Sequence, residues 1–117
     1  MLKNALVCLS LCGLLAAAES SAHARLQSST PADNAQLKEA PHTLSLNFSE
    51  VARLARLKLT FGGKEIPISL DPSAKPAASF TLALPALAPG SYTVEWAAVA
   101  ADDGHVTKGM FKFSIAG

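Results

Sequence analysis

Apolar and polar residues alternate with a period of two through most of the chain. Six segments share this pattern, and their apolar positions are Leu44, Leu46 and Phe48; Leu57, Leu59 and Phe61; Ile66, Ile68 and Leu70; Phe80, Leu82 and Leu84; Tyr92, Val94 and Trp96; and Phe111, Phe113 and Ile115. Because successive side chains of a β-strand point to opposite faces, each segment predicts a strand with one buried face.

Short turn signals divide these segments. They are Gly62-Gly63, Asp71-Pro72, Pro89-Gly90 and Asp103-Gly104. Pro67 removes a backbone donor from the segment Ile66–Leu70, so that strand is predicted to lie at a sheet edge. With a further strand near Arg25–Ser29, the pattern predicts an all-β protein, a seven-stranded antiparallel sandwich.

Tyr92 follows the Pro89-Gly90 turn at the start of a predicted strand. This arrangement resembles the tyrosine corner of immunoglobulin-like sandwiches, in which the hydroxyl bonds to backbone a few residues upstream. The cysteine pair of true immunoglobulin domains is absent, because Cys8 and Cys12 both precede the predicted strands. No disulfide is therefore expected in the folded domain.

Residues 1–22 have the features of a secretory signal peptide. Lys3 precedes an apolar stretch, and Ser20 and Ala22 are the small residues that favour a cut before His23. Three other cuts also satisfy the small-residue rule. Cuts before Glu19 or after Ala24 would not leave this histidine first. A cut after Ser20 would leave it third, which is itself a known kind of copper- or nickel-binding terminus.

Removal of residues 1–22 would leave a single domain of 95 residues, 23–117, with nine Lys and Arg residues against eight Asp and Glu residues. The domain has no block of like charge and no apolar run long enough to span a bilayer. We therefore expect an exported, soluble domain that binds neither nucleic acid nor membrane.

His23 matters because the predicted cut would join a free α-amine and an imidazole on one residue. The two nitrogens together form a bidentate ligand, and nitrogen-rich, near-planar coordination suits Cu(II), which leads the divalent affinity series. The alternative is a histidine in a frayed terminus.

Asp103 and His105 lie in a predicted loop on either side of Gly104. The bend could bring both side chains onto one ion, where they would complete a set of three nitrogens and one oxygen with His23. The alternative is a solvated Asp-Gly turn. Glu50, at a strand end, is expected either to lie beside the metal or to be a charged surface residue.

Other candidates carry less chemistry. Asp102 is a spare carboxylate, His42 is expected in an exposed loop, and Trp96 is expected in the core. Met110 is the single methionine after the predicted cut, so no thioether cluster for Cu(I) can be built. No nucleophile–base pair or phosphate-binding loop is present.

Several stretches resemble CopC-like periplasmic copper-resistance proteins; they are His23–Ala32, Leu46–Glu50, Gly90–Trp96, and Asp103–His105 followed by Gly109. The resemblance covers residues 23–117 and favours the cut between Ala22 and His23. It implies a Greek-key β-sandwich or barrel in a Gram-negative periplasm. It also implies a membrane partner of the CopD-like copper-transport type.

The resemblance implies which residues hold the metal. Cu(II) would be bound by His23, Asp103 and His105, with Glu50 nearby. The methionine-rich loop that some members use for Cu(I) is missing.

The sequence therefore predicts a monomeric periplasmic Cu(II) carrier or buffer rather than an enzyme. Two alternatives remain open. The first is a metal-free immunoglobulin-like interaction module. The second is a copper oxygenase with an N-terminal histidine brace, which would need an open copper face and a broad substrate surface.

Overall fold

The computed structural model describes residues 24–71 and 73–117, and these form seven β-strands and no helix. The strands are β1 (Leu26–Thr30), β2 (Ala35–Leu37), β3 (Thr43–Phe61), β4 (Lys64–Ile66), β5 (Ala77–Ala83), β6 (Gly90–Ala100) and β7 (Val106–Ile115). The predicted all-β fold with seven strands is confirmed. Within this part of the chain no helix has the length and apolar character needed to cross a membrane. The predicted signal peptide and His23 lie outside the described residues.

Strand β3 organises the fold because it is 19 residues long and has two sets of neighbours. Its first half pairs with β1 and β5, and its second half pairs with β4 and β6. The sheet continues from β6 to β7 and then to β2. Since one strand serves both halves, the sheet curls around a shared core, as in a sandwich. The β2–β7 pairing is parallel, so the prediction of a purely antiparallel sheet was wrong there.

The buried faces follow the predicted alternation. On β6, every second residue from Tyr92 to Ala100 is buried. The Tyr92 ring stacks against Phe61 and Phe113, with ring centroids 4.7 and 5.2 Å away. Its hydroxyl donates to the backbone carbonyl of Ala88, which confirms the predicted tyrosine corner. Burial raises the pKa of Tyr92 above its ordinary 10.0, so the hydroxyl stays protonated and keeps this bond.

Trp96 occupies the other half of the core, as predicted. Its ring meets Phe48 edge-to-face, with centroids 5.3 Å apart. Strand β7 carries Gly109 directly opposite Trp96, and a Cβ at position 109 would lie 2.7 Å from the indole ring. Glycine is therefore the residue that lets the indole lie flat against β7.

Two strand boundaries differ from the sequence prediction. The apolar runs that begin at Leu44 and Leu57 belong to one continuous strand, because β3 passes from one half of the sheet to the other. The predicted strand over Ile66–Leu70 ends at Ile66, immediately before Pro67. Its Ile68 and Leu70 pack on the core from a loop instead. Strand β2 was not predicted, because three residues are too few to display a period.

Candidate metal site

The β6–β7 hairpin turns through residues 101–104. Val99 and Val106 are the last paired residues, and beyond them the Ala100 amide donates to the His105 carbonyl at 2.8 Å. The Gly104 amide then donates back to the Ala100 carbonyl at 3.0 Å. Gly104 has a φ of 74°, a left-handed conformation that glycine adopts without strain. This closed turn fixes the backbone on both sides of the Asp-x-His sequence.

Asp103 and His105 are brought together at this turn. One carboxylate oxygen of Asp103 accepts the His105 backbone N–H at 3.0 Å. The other lies 2.9 Å from His105 Nδ1. The His105 side chain is 60% exposed and that of Asp103 37%, so both donors are open to solvent. The structure therefore brings these two side chains into contact at the turn.

The distance between the two donors matches that of neighbouring ligands on one metal ion. Two donors that each lie about 2.0–2.1 Å from an ion, at a right angle, are about 2.8–3.0 Å apart. The 2.9 Å separation of Asp103 Oδ2 and His105 Nδ1 falls in this range. The same separation is that of a hydrogen bond between the two groups, so a bound ion would replace this contact. The donor set fits a tetragonal nitrogen- and oxygen-liganded ion.

The residues that follow His23 are tied to the same end of the fold. The Thr107 hydroxyl donates to the Ala24 carbonyl at 2.7 Å, and Ala24 is fully buried. The Arg25 amide donates to the Ser49 hydroxyl at 2.9 Å, and the Ser49 amide donates to the Arg25 carbonyl at 2.8 Å. The first bond places the start of the described chain beside β7, two residues from His105, and the other two hold it against Ser49 of β3.

Glu50 lies on the backbone between two of these contacts. The β3–β5 pairing jumps from Asn47 to Ala52, which frees the intervening residues to make other bonds. On one side of Glu50, Ser49 holds the segment before β1. On the other side, the Val51 carbonyl accepts the Ala101 amide at 3.0 Å. The half-buried Glu50 is thus brought to the hairpin turn.

Asp102 is an exposed residue of the turn itself, whereas His42 and Met110 are separate from this site. His42 precedes β3 and its carbonyl accepts the Leu84 amide, roughly 20 Å from Ser49 along the strand. Met110 is exposed on the outer face of β7. Within residues 24–71 and 73–117 no group of three or more His, Cys, Asp or Glu side chains could hold a metal. A metal bound by Asp103 and His105 would have to take its further protein donors from such groups outside this part of the chain, and His23 is the residue that directly precedes it.

Sequence reasoning missed Thr107 and Ser49. Neither lies in a recognisable motif, and the Thr107–Ala24 bond joins residues 83 positions apart. The one available signal was indirect: Thr107 comes two residues after the candidate ligand His105.

Comparisons with known proteins agree with the fold. A family model described as the CopC domain matches residues 26–116. Protein YobA of Escherichia coli K12 is 38% identical over 99 residues, which cover 80% of this chain and 79% of that protein. Protein YobA of Shigella flexneri gives the same values.

Two solved structures extend this likeness to three dimensions. CopC from Methylosinus trichosporium OB3b superposes with a TM-score of 0.68 at 25% identity, covering 80% of this chain and 94% of that one. PcoC, a methionine-rich copper resistance protein from Escherichia coli, gives a TM-score of 0.65 at 31% identity, covering 80% of this chain and 99% of that one. The chain therefore belongs to the CopC domain family.

Proposed function

We propose that this protein binds one Cu(II) ion at the β6–β7 turn and acts as a periplasmic copper carrier or buffer in copper resistance or homeostasis. The observation that carries the proposal is the 2.9 Å separation of Asp103 Oδ2 and His105 Nδ1, a spacing suited to neighbouring ligands. A structural relative, PcoC, is described as a copper resistance protein, which supports copper as the metal.

The ligand set would be completed by His23. Its α-amine and imidazole would supply two nitrogens, beside one nitrogen from His105 and one oxygen from Asp103. Glu50 would hydrogen-bond to the amine or bind the ion weakly. The three bonds that hold Ala24 and Arg25 support this arrangement, because they fix the two residues that follow His23 against β7 and β3.

Cu(II) is favoured over Cu(I) by the chemistry of the donors. Cu(I) prefers soft thiolate and thioether ligands, whereas imidazole, amine and carboxylate suit Cu(II). Both cysteines precede the predicted cut, and Met110 is the single methionine after it. Met110 points outward from the middle of β7, five residues beyond His105.

A carrier is favoured over an enzyme by the number of protein donors. Four strong protein ligands would leave no strong position on the copper ion open, whereas a catalytic site keeps a position open for substrate. An oxygenase would also need a broad substrate surface, and only 6% of the residues are aromatic. A CopD-like membrane transporter is the partner we propose for copper transfer.

The proposal is tested by adding one residue before His23, so that its nitrogen is no longer an amine. We compare mature protein that begins at His23 with protein that begins at Ala22, which converts the ligand amine into an amide. The longer form should bind Cu(II) more than tenfold more weakly in competition with a chromophoric chelator, and its electron spin resonance spectrum should lose nitrogen couplings.

The control is the thermal midpoint of the metal-free proteins. It should be the same for both, because Ala24 remains buried and bonded in each. Equal Cu(II) affinity would contradict the assignment of the terminus as a ligand. An exported product whose intact mass excludes a start at His23 would favour the metal-free interaction module.

A further inference from the structure

The outer face of the sheet carries a concentration of positive charge that the copper site does not use. We call this the basic face: the outward side chains of β6, β7 and the second half of β3. Its charged members are Arg53, Arg56, Lys58, Lys108 and Lys112, with one acid, Glu95. Strand register sets them in rows, so that Arg56 and Lys108 lie on either side of Ala97, and Lys58 lies beside Glu95.

The charge on the basic face is out of proportion to the rest of the domain. After residue 22 the chain has nine cationic and eight acidic side chains. Five of the cations but a single acid lie on this face, which leaves the remaining surface net negative. Among the described residues, no carboxylate lies within ion-pairing distance of the five cationic groups. Their charge is therefore available to a partner rather than neutralised within the domain.

Apolar side chains lie between these charges. Val106 and Met110 are 58% and 57% exposed on β7, and Val99 lies beside Val106 on β6. Methionine and arginine are enriched in protein interfaces. Segments that bind a membrane surface insert tryptophan, phenylalanine or leucine between the lipids, and the basic face presents none of these three.

From this charge and composition, we propose that the basic face docks an acidic surface of a partner protein. Three strands and four rows of side chains give the basic face a footprint of about 15 by 25 Å. This area is smaller than the roughly 800 Å² of surface that each partner buries in a stable complex. The contact should therefore be weak, fast and sensitive to salt. Val106 is next to His105 in the chain, so a docked partner would lie beside the hairpin. Docking itself does not need copper, whereas its use in copper transfer rests on the proposed function.

The experiment uses isotope-labelled, metal-free mature protein and a synthetic peptide, Glu-Glu-Leu-Glu-Asp-Leu-Glu-Glu, followed by amide chemical shifts. Shifts should move on the outward residues of β3, β6 and β7, and the affinity should fall at least tenfold from 20 to 300 mM salt. The double variant Arg56→Glu with Lys108→Glu should lose at least tenfold in affinity. The control, Lys38→Glu with Lys64→Glu, makes the same change of charge off the face and should lose less than threefold.

If the reversed charges destabilise the sheet, the uncharged double variant Arg56→Gln with Lys108→Gln tests the same loss of peptide affinity. Equal losses in both pairs, or shifts that map elsewhere, would overturn the proposal. Binding to phosphatidylglycerol vesicles without binding to the peptide would also overturn it and assign the face to lipid. Because no copper is present, these results do not depend on the outcome at the metal site.

Discussion

Thr107 ties the residue that follows the proposed ligand His23 to β7 through a hydroxyl group. Its bond to the Ala24 carbonyl is 2.7 Å long and partly buried, and the two residues are far apart in sequence. Thr107→Val removes the hydroxyl and keeps the branched shape, so the change isolates the hydrogen bond. We expect the variant to fold, to be less stable, and to hold Ala24 less firmly beside β7.

The size of the effect follows from what the Ala24 carbonyl loses. A hydrogen bond contributes about 0.5–1.5 kcal/mol, and a buried acceptor left without a donor costs about 1–3 kcal/mol. Because the bond is only partly buried, we expect Thr107→Val to lower the free energy of unfolding by about 1–2 kcal/mol. For a domain of this size each kcal/mol lowers the thermal midpoint by roughly 4–8 °C.

The same free energy limits the loss of copper affinity. A site that is assembled for only part of the time binds more weakly in proportion to that fraction. A local loss of 1–2 kcal/mol therefore weakens Cu(II) binding by at most about thirtyfold. Two of the three anchoring bonds, those between Arg25 and Ser49, remain in the variant. We expect about a fivefold loss.

The assays are thermal unfolding without metal and Cu(II) competition with a chelator, each also followed by the fluorescence of the single tryptophan. Thr60→Val is the matched control, because Thr60 makes a long 3.5 Å hydroxyl bond to the Thr93 carbonyl at the far end of β3. It should leave copper affinity unchanged. Thr107→Ser should restore most of the affinity. A Thr107→Val protein that is less stable but binds copper normally would refute the anchoring role.

Three further results are expected. Glu50→Gln should lose about 10–100-fold in Cu(II) affinity, as is typical of a residue that supports a ligand. His105→Ala should lose more, and His42→Ala should lose none. An equal loss at His42 would refute the assignment of the site. In competition with a soft chelator the protein should fail to retain Cu(I), because a single methionine cannot supply a thioether site, and tight retention would contradict this. Gly109→Ala should destabilise the domain by about 1–3 kcal/mol and shift the fluorescence emission of Trp96, since the added Cβ would lie 2.7 Å from the indole. An unchanged melting temperature would show that the indole moves aside without cost.

The sequence predicted the fold well where local signals agreed. Period-two alternation, turn dipeptides and the tyrosine corner all pointed to the same sandwich, and five of the six apolar triplets lie entirely or largely in strands. The prediction failed where tertiary context decided. The parallel β2 is held by three pairs to β7 and has no pattern of its own. The Ile66–Leu70 run is apolar because it covers the core, although it does not extend the sheet beyond Ile66.

The site was predictable in part for the same reason. Asp103 and His105 are two residues apart, and an Asp-Gly turn is enough to suggest that they converge. Their 2.9 Å separation depends on how Gly104 closes the hairpin, which the sequence does not specify. The anchors at Thr107 and Ser49 depend on contacts between distant segments, and only the folded chain brings those segments together.

Folding and metal binding can be separated at one peptide bond. Ala24 is fully buried and hydrogen-bonded, so the fold includes the chain from this residue onward. None of the three bonds at Ala24 and Arg25 involves the α-amine of residue 23, so the same anchors can form whether or not the signal peptide has been removed. The amine itself exists only after the cut before His23. The precursor should therefore reach the same fold while lacking one copper ligand, so that cleavage during export, rather than folding, would create the complete site.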